Sequence, residues 1–366
     1  MKSSRSIKIF TGISLATLAI SAISSLAFTT VTASINKIDA FAGIDNRPEK
    51  ISSAVNYLLV GSDTREGLSK AELKELRVGS VATAAGKRSD TMLLVHISKA
   101  RDKAVLISIP RDSFALIPAY TNKAGKVTPA RHSKINSAFN WGGAPLLIQT
   151  IEEMTQLKID HYVEINFAGF ARVVDALGGI EVCTKKDIDD PKSHLVLEAG
   201  VHTLNGIESL KYVRTREFDG MGDIGRMQRQ QAFMSSVLKK ATSAGVLLNP
   251  ITMTSFINSS LDAVTTDVGL QSAELISLAK GMKSLATSNI RTLTVPLSDL
   301  NYYANGVTAS VLWDPVLAPE LWNRLREDRA VVDEVLPSAS PSSTKASKVE
   351  VVDKFKTRTA EDNICR

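Results

Sequence analysis

Two short apolar runs, at residues 92–98 and 103–109, are separated only by the polar stretch from Lys99 to Asp102. Apolar runs joined by so short a polar turn predict an antiparallel β-hairpin. If the strands pair symmetrically about the turn, residues whose numbers add up to about 201 face each other, which puts Asp90 opposite Arg111. The hairpin therefore predicts that charged residues converge at one end of a sheet: Arg88, Asp90, Arg111 and Asp112. The alternative is that these charges are exposed strand ends.

Helical and strand-like patterns alternate along the chain. One helix is marked by apolar residues at helical spacing, Phe167, Phe170, Val174 and Leu177. Gly178 and Gly179 end it, and the strand-like run IEVC follows at once. This alternation predicts an α/β fold in which helices flank a mixed central sheet, in an α-β-α layered arrangement.

The amino terminus has the pattern of a membrane anchor. Lys2, Arg5 and Lys8 precede an uncharged, largely apolar stretch from Ile9 to Ile35. A helix of about 20 residues spans a bilayer, and a positive flank favours a cytoplasmic amino terminus. We therefore expect a single-pass plasma-membrane protein whose remainder is extracytoplasmic. A cleavable signal peptide is the alternative, because small residues are frequent near the end of the stretch.

Composition and pattern predict the remaining boundaries. After a basic segment (1–8) and the anchor (9–35), we expect a linker at 36–54 and one catalytic domain at 55–333. Residues 334–366 begin with the Pro/Ser-rich stretch PSASPSSTKAS, which is typical of a linker. The segment after it is either a tail or a docked strand.

Arginines cluster between residues 212 and 231, in YVRTREFDGMGDIGRMQRQQ. Arg214 and Arg216 are two apart, so on an extended segment both guanidinium groups would point to one side and address one anion, with phosphate as the expected ligand. The helical pattern that follows places Asp223, Arg226 and Gln230 on one face. A solvated, salt-bridged helix face is the alternative for this segment.

An apolar strand also ends in charged residues at NYLLVGSDTR, residues 56–65. It delivers Asp63 and Arg65 at its carboxyl end, where open sheets bind ligands. Asp63 is therefore a candidate metal ligand.

The histidines show no zinc-ligand spacing, and His96 is interpreted as a strand residue. The net charge of +6 suits an anionic lipid surface, but it is too diffuse to indicate nucleic-acid binding.

Several motifs together resemble the LytR-CpsA-Psr family. They are LVGSDTR, RSDTMLLVHI, ISIPRDS, KINSAFNWGG, NFAGFARVVDALGGIEV and LNGIESLKYVRTRE, followed by DIGRMQRQQ. The resemblance covers residues from about 55 to about 240 and extends more loosely to about 333. It implies an extracytoplasmic phosphotransferase that takes a glycopolymer from a polyprenyl pyrophosphate carrier and joins it to peptidoglycan through a phosphodiester. Its partners would be the lipid-linked glycan donor, the peptidoglycan acceptor and membrane lipid.

The resemblance also implies roles for single residues. Asp63 and Asp90 would hold Mg²⁺, with Mn²⁺ as an alternative ion. The phosphates would be contacted by Arg88, Arg111, Arg214, Arg216 and Arg226, with Gln230 as an additional donor. Asp223 would either orient these arginines or act as the base for the incoming hydroxyl. Arg65 and Arg229 fit the motifs, but a structural salt bridge is as plausible for each, and Asp112 is interpreted as structural.

The chain has two cysteines, Cys183 and Cys365. In an exported protein they are expected to pair, and actinobacterial members of the family imply the same bond. The chain-entropy model assigns such a loop, of about 180 residues, up to roughly 5 kcal/mol of stabilisation. Two free thiols in a cytosolic chain are the alternative.

Two further functions compete with the transferase. One is a hydrolase that cleaves polyprenyl pyrophosphate with water, and the other is a non-catalytic wall-polymer-binding or regulatory protein.

The stretch between Asp63 and Arg88 contains the helical pattern SKAELKELR and is interpreted as a surface insertion relative to the family. Trp313 and Trp322 are interpreted as core residues rather than as a sugar-stacking pair.

Overall fold

The computed structural model describes residues 36–65, 67–76, 89–122, 124–217, 220, 222–241, 264–271, 274, 287–335 and 350–359. The helices are α1 Lys70–Leu76, α2 Asn136–Thr155, α3 Phe167–Ala176, α4 Gly206–Tyr212, α5 Gly222–Ala241 and α6 Leu317–Arg326. The strands are β1 Asn36–Ile38, β2 Val55–Ser62, β3 Ser89–Ile97, β4 Ala104–Ile109, β5 Phe114–Ile117, β6 Tyr120–Thr121, β7 Val127–Thr128, β8 Arg131–Lys134, β9 His161–Ile165, β10 Ile180–Thr184, β11 Ile188–Asp190, β12 Leu195–Leu197, β13 Gly200–Leu204, β14 Val264–Asp267, β15 Ile290–Thr294, β16 Leu297–Ala304, β17 Val307–Trp313, β18 Asp333–Val335, β19 Glu350–Val352 and β20 Arg358–Thr359.

A mixed sheet lies at the centre, with the strand order β1-β14-β9-β2-β3-β4-β15-β20. The predicted hairpin is β3–β4, and its antiparallel register runs from Met92↔Ile109 to Ile97↔Ala104. The predicted pairing is therefore confirmed. Because successive residues of a strand point to opposite faces, each apolar run of this hairpin supplies both faces of the sheet, which explains its continuous hydrophobicity.

Helices cover both faces of the sheet. One face, with Leu58, Leu94 and Ile107, packs into a core that also contains buried residues of α2 and α6. On the other face, Leu106 and Ile290 pack against Met234 and Leu238 of α5. The expected mixed α/β fold with helices flanking a central sheet is thus confirmed. Trp322 is buried in the first core and its ring lies 5.6 Å from that of Trp313, which confirms both as packing residues.

A second core holds a lobe built from α1, α3, α4 and the β10–β13 hairpin. The helix predicted from the phenylalanine pattern is α3, and its end is followed by Gly178 and Gly179 at φ +74° and +83°. Positive φ favours glycine, so this pair turns the chain directly into β10. Leu76 of α1 is fully buried in the same core. The other residues of α1 are exposed or half-buried, so the helix lies on the surface and is anchored to the lobe by Leu76. Its interpretation as part of an insertion relative to the family stays a prediction.

The segment predicted to be a linker at 36–54 is packed against the domain. Asn36–Ile38 forms the parallel edge strand β1, and Ala40 is fully buried. Arg47 pairs with Glu152 of α2 at 2.6 Å. The linker assignment is wrong for Asn36–Ile38 and Ala40, which pair with the sheet or are buried, and a half-buried ion pair joins Arg47 to α2. The expected anchor at 9–35 lies outside the described residues, and within the described part no helix is long and apolar enough to cross a bilayer.

The described part of the carboxyl-terminal segment is a docked strand rather than a loose tail. β19 pairs with β18, and β20 pairs with β15 at the edge of the central sheet. Phe355 is 5% exposed, and the Arg324 guanidinium lies 5.5 Å above its ring. Of the two alternatives considered for this segment, the structure shows the docked strand for residues 350–359.

Candidate functional site

The carboxyl ends of four strands meet at one edge of the central sheet. β2 and β9 are parallel, β4 and β15 are parallel, and β3 is antiparallel to β2 and β4, so β2, β9, β4 and β15 all run in one direction. Asp63 follows β2, Arg111 follows β4 and Asp90 lies near the start of β3. The hairpin register therefore brings these three positions to the edge where ligands of open sheets bind.

A pocket of about 170 Å³ opens at this edge. Arg111, Arg226 and Gln230 line it together with Thr91, Met92 and Met227. Arg226 is 4% exposed. Arg111 and Arg226 give the pocket two planar guanidinium groups, which suits it to an anion. Of the predicted phosphate-contacting residues, these three come together in one cavity.

Helix α5 presents its amino-terminal end to the pocket. The side-chain amide of Gln231 donates to the hydroxyl oxygens of Ser108 on β4 and Thr294 on β15, at 3.0 and 2.9 Å. Further along, Met234 and Leu238 pack over Leu106. The helix thus runs antiparallel to β4. Its macrodipole places about half a positive charge at the pocket end, which favours a bound anion.

The loop that carries Arg214 and Arg216 is hydrogen-bonded to helix α5. Arg229 is 8% exposed and its Nη2 donates to the carbonyl oxygen of Thr215 at 2.6 Å. Gln230 Nε2 donates to the carbonyl oxygen of Val213 at 3.1 Å. These contacts join α5 to the loop, and the choice between a site residue and a structural salt bridge for Arg229 stays a prediction. They leave Gln230 a second amide N–H that can address a ligand.

The extended conformation predicted for Arg214–Arg216 is not observed. The N–H of Arg214 donates to Lys211 O and that of Thr215 to Tyr212 O, so the chain turns at the end of α4. Alternation of side chains along a strand therefore does not apply here. The guanidinium of Arg214 instead lies 5.4 Å from the centre of the Phe167 ring, at the start of α3.

Asp190 was missed by the sequence analysis. Its carboxylate is 1% exposed and accepts the backbone N–H groups of Lys192, Ser193, Arg216 and Glu217. Burial alone would raise its pKa, but these backbone donors outweigh burial and lower the pKa to about 2. Asp190 therefore carries a charge at neutral pH and positions the Arg216 backbone. The run DIDD offered no distinguishing signal, because two of the four partners, Arg216 and Glu217, lie 26 and 27 residues away.

The carboxylate of Asp112 lies beside Arg111. Asp112 Oδ2 is 3.5 Å from Arg111 Nε, and its Oδ1 is 3.3 Å from Lys134 Nζ. The Asp112 carbonyl also accepts the N–H of Val311 at 2.9 Å. These contacts agree with the structural role expected of Asp112, although it also lines the pocket. Lys134, at the end of β8, is a nearby cation that the motifs did not identify.

The backbone positions of the two candidate metal ligands are neighbours at a bulge between β2 and β3. Gly61 pairs with Thr91 and Ser62 pairs with Ser89, so Asp90 is the additional residue on β3. Bulges redirect chains next to active sites. Asp63 is the next residue after Ser62. Mg²⁺ is commonly held by one or two carboxylates together with phosphate oxygens and water, so this donor set fits magnesium. No group of three or more potential ligands occurs among the described residues.

Some expected contributors lie outside what the structure describes. These are Arg88 and the side chains of Asp90 and Asp223. Cys183 lies in β10 beside a cavity of about 420 Å³ that is also lined by Arg358 of the docked carboxyl-terminal segment. Cys365 is outside the described residues, so the Cys183–Cys365 bond stays a prediction.

The chain folds as a mixed α/β domain with a cationic pocket at the carboxyl ends of its strands. A sequence model of the LytR_cpsA_psr family matches residues 23–326, and the chain belongs to this family. The resemblance inferred from the motifs is thereby confirmed.

Two relatives are similar to more than half of the chain. The probable cell wall biosynthesis protein LcpB of Corynebacterium glutamicum is 37% identical over 275 residues, which are 75% of this chain and 62% of LcpB. The polyisoprenyl-teichoic acid–peptidoglycan teichoic acid transferase TagT of Bacillus subtilis is 36% identical over 202 residues, 54% of this chain and 55% of TagT. The chain thus spans less than two thirds of the length of either relative.

Solved structures have the same fold. TagV of B. subtilis superimposes with a TM-score of 0.58 at 26% identity, covering 75% of this chain and 96% of TagV. A structure described as TagT bound to LI-WTA has a TM-score of 0.56 at 25% identity and covers 79% of this chain and 98% of that one.

Proposed function

We propose that this protein is a cell-wall glycopolymer transferase that moves a glycan from a polyprenyl pyrophosphate carrier onto peptidoglycan. The observation that carries the proposal is the pocket in which Arg111, Arg226 and Gln230 meet the amino-terminal end of α5. The proposal is supported by the names of TagT and LcpB, a transferase and a probable cell wall biosynthesis protein.

The reaction needs charge neutralisation more than covalent chemistry by the protein. An acceptor hydroxyl oxygen bonds to the phosphorus next to the glycan, and the bond from that phosphorus to the bridging oxygen breaks. Polyprenyl phosphate leaves, and the product is a phosphodiester. Negative charge is spread over the phosphoryl oxygens in the transition state, so positioned cations lower the barrier. Arg111 and Arg226 are charged at any physiological pH and supply planar, bidentate donors to these oxygens.

The hydroxyl proton needs an acceptor. Asp223, in the first turn of α5, is the carboxylate that the family resemblance places there, and it serves either as this base or as an orienter of the arginines. Asp190 acts one step further away, because its carboxylate holds the backbone of the loop that carries Arg216. Gln230 joins that loop to the helix through Val213.

Asp63 and Asp90 are the residues that would hold Mg²⁺. The ion would supply further neutralisation of the diphosphate and stabilise the leaving phosphate. The chain's own contribution is the bulge that brings Asp90 next to the end of β2.

The membrane anchor belongs to the same proposal. A donor with a polyprenyl chain stays in the bilayer, so an enzyme tethered by residues 9–35, with its amino terminus in the cytoplasm, would meet its substrate in two dimensions. The positive flank and the apolar length of this stretch support that arrangement.

The test uses the full-length chain in detergent with Mg²⁺ and a lipid-linked diphosphate glycan, with and without peptidoglycan. We expect glycan to be joined to peptidoglycan only when both substrates are present, and Arg226→Ala to abolish this transfer. Arg172→Ala is the matched control, since Arg172 lies on α3 and its Nη2 donates to the carbonyl of Gly67. Equal turnover of donor without peptidoglycan would identify the hydrolase alternative. Donor binding without turnover under all conditions would identify the non-catalytic one.

A further inference from the structure

The pocket is too small for the saccharides on which the proposed reaction depends. Drug-sized ligands occupy cavities of about 300–1,000 Å³. At about 170 Å³, the pocket can take a compact anionic group, but neither the polymer nor the acceptor glycan. An acceptor sugar that reaches a diphosphate in this pocket would lie on the surface that surrounds the pocket mouth.

The β16–β17 hairpin forms one wall of that mouth. Leu300, Ala309 and Val311 line the pocket. Asp299 pairs with Leu312 and Tyr302 pairs with Ser310, and the register shifts between these two pairs. Successive side chains of a strand point to opposite faces, so Tyr303 and Ala309 lie on the face opposite to Tyr302 and Ser310. Ala309 lines the pocket, which puts Tyr303 on the pocket side of the hairpin.

This face carries exposed apolar groups. Leu300 is 56% exposed and Tyr303 is 58% exposed. Leu300 lines the pocket and Tyr303 lies three residues further along the same strand, and accessible apolar side chains next to a cavity are typical of a binding surface.

The reverse face of the hairpin is fixed to the domain. The ring of Tyr302 meets that of Phe114 edge-on at 5.2 Å, and Phe114 stacks on His132 at 4.9 Å. Trp313 Nε1 donates to Ser113 Oγ at 2.8 Å. A wall held in this way loses little freedom when a ligand binds, so its exposed groups are preorganised.

The backbone of this wall is irregular next to the pocket. The β16–β17 ladder shifts register at three places between Leu297 and Ala304. Ala309 has φ +50°, a left-handed conformation that an alanine rarely adopts. Strain and bulges of this kind concentrate at ligand sites, where they redirect side chains.

The charge of the wall selects the kind of ligand. No lysine or arginine occurs between Arg291 and Arg324, and the hairpin's single charged residue is Asp299. The cations of the pocket, Arg111 and Arg226, come from other elements of the fold. The hairpin is therefore a poor site for phosphate or an anionic polymer, whereas Tyr303 and Leu300 offer an apolar surface to the C–H face of an uncharged sugar ring.

We propose that the Leu300–Tyr303 face of the hairpin binds the uncharged N-acetylhexosamine units of the acceptor glycan and holds the attacking hydroxyl beside the diphosphate pocket. This inference rests on the proposed transferase function for its mechanism, but the binding itself is measurable without the reaction.

The experiment titrates the full-length protein in detergent with a soluble β-1,4-linked N-acetylglucosamine oligosaccharide, followed by NMR. We expect Tyr303→Ala to weaken binding by about tenfold and Tyr303→Phe to retain it, since the ring supplies the contact. Val201→Ala is the control, because Val201 is 56% exposed on the distant β13 strand. Equal oligosaccharide affinity of the wild type and Tyr303→Ala, or no binding by the wild type, would overturn the proposal.

Further measurements distinguish failure of this inference from failure of the proposed function, and a glycan site from a membrane contact. Inorganic pyrophosphate should bind Tyr303→Ala as it binds the wild type, and should bind Arg226→Ala much more weakly. In the transfer assay, Tyr303→Ala should raise the acceptor KM while kcat changes little. Failure of wild-type transfer with glycan binding intact would reject the function and keep the binding face. Loss of binding to anionic lipid vesicles in Tyr303→Ala, with glycan binding unchanged, would assign the face to the membrane instead.

Discussion

The carboxylate of Asp190 accepts the backbone N–H of Arg216, across 26 residues of sequence. The same oxygen accepts the N–H of Glu217 at 2.8 Å, while the other oxygen caps Lys192 and Ser193. One buried side chain thus joins the β11–β12 turn to the loop that carries two of the predicted phosphate-contacting arginines. Any change at Asp190 reaches the site through backbone position rather than through contact with substrate.

Asp190→Asn tests this positioning role. Hydrogen bonds to a charged group contribute about 1.5–3 kcal/mol each, so we expect a loss of roughly 2 kcal/mol in the free energy of unfolding, together with reduced transfer. Because folding lowers the Asp190 pKa to about 2, its contribution is present above the unfolded value of about 4 and is lost as pH falls towards 2. Denaturant unfolding at several pH values should show this acid-dependent loss in the wild type, and a matching slope in the Asn variant would contradict the assignment.

Arg216→Ala tests the contribution of the Arg216 side chain while its backbone contacts stay in place. The N–H bonded to Asp190 is kept, so the melting temperature should change by less than about 4 °C. Transfer should fall by about 100-fold or more if the guanidinium stabilises the transition-state charge. Thermal melts and transfer rates on the same preparation check this. Parallel losses of melting temperature and rate would mark Arg216 as a structural residue.

Asp63→Ala and Asp90→Ala probe the proposed metal site. Each single change should inactivate the enzyme and weaken Mg²⁺ binding, and the double change should be no worse than either, because both remove one ion. Calorimetric Mg²⁺ titration gives a readout besides activity. A double variant far less active than both single variants would argue against a shared ion.

His161, at the amino-terminal end of β9, provides a prediction about stability at the end of the sheet away from the pocket. Its Nδ1 lies 3.2 Å from Asp267 and its Nε2 lies 3.0 Å from Glu274. Burial lowers its pKa, but these carboxylates outweigh burial and the pKa is raised. The stabilisation is therefore complete below the unfolded value of about 6.5 and is lost as pH rises through the folded pKa. His161→Gln should remove this decline from unfolding curves measured between about pH 6 and pH 9.

The predicted Cys183–Cys365 bond has a structural correlate. Arg358, seven residues before Cys365, lines the cavity beside Cys183. Among the described side chains of residues 350–359, Phe355 alone is buried, so reduction should loosen this segment before the sheet. Peptide mapping under non-reducing conditions, followed by hydrogen exchange with and without reductant, checks both statements. Two free thiols in active protein from an oxidising compartment would refute the bond.

Local sequence patterns determine much of this fold. The β3–β4 register follows from a four-residue turn, and α3 follows from its apolar spacing and its terminal glycines. Helical periodicity places Arg226 and Gln230 on one face, and both line the pocket. In each case the determining residues are neighbours in sequence, so the physics that fixes them is visible in a short window.

Tertiary structure decided the rest. The bulge at Asp90, the Asp190 contact with Arg216 and the turn that replaced an extended Arg214–Arg216 segment all depend on partners far along the chain. The same holds for β1 and β20, whose short sequences carry no strand signal and which form because the edges of the sheet offer unpaired backbone groups. Backbone hydrogen bonds between distant segments have no periodic signature in the sequence, and only the assembled sheet shows where they form.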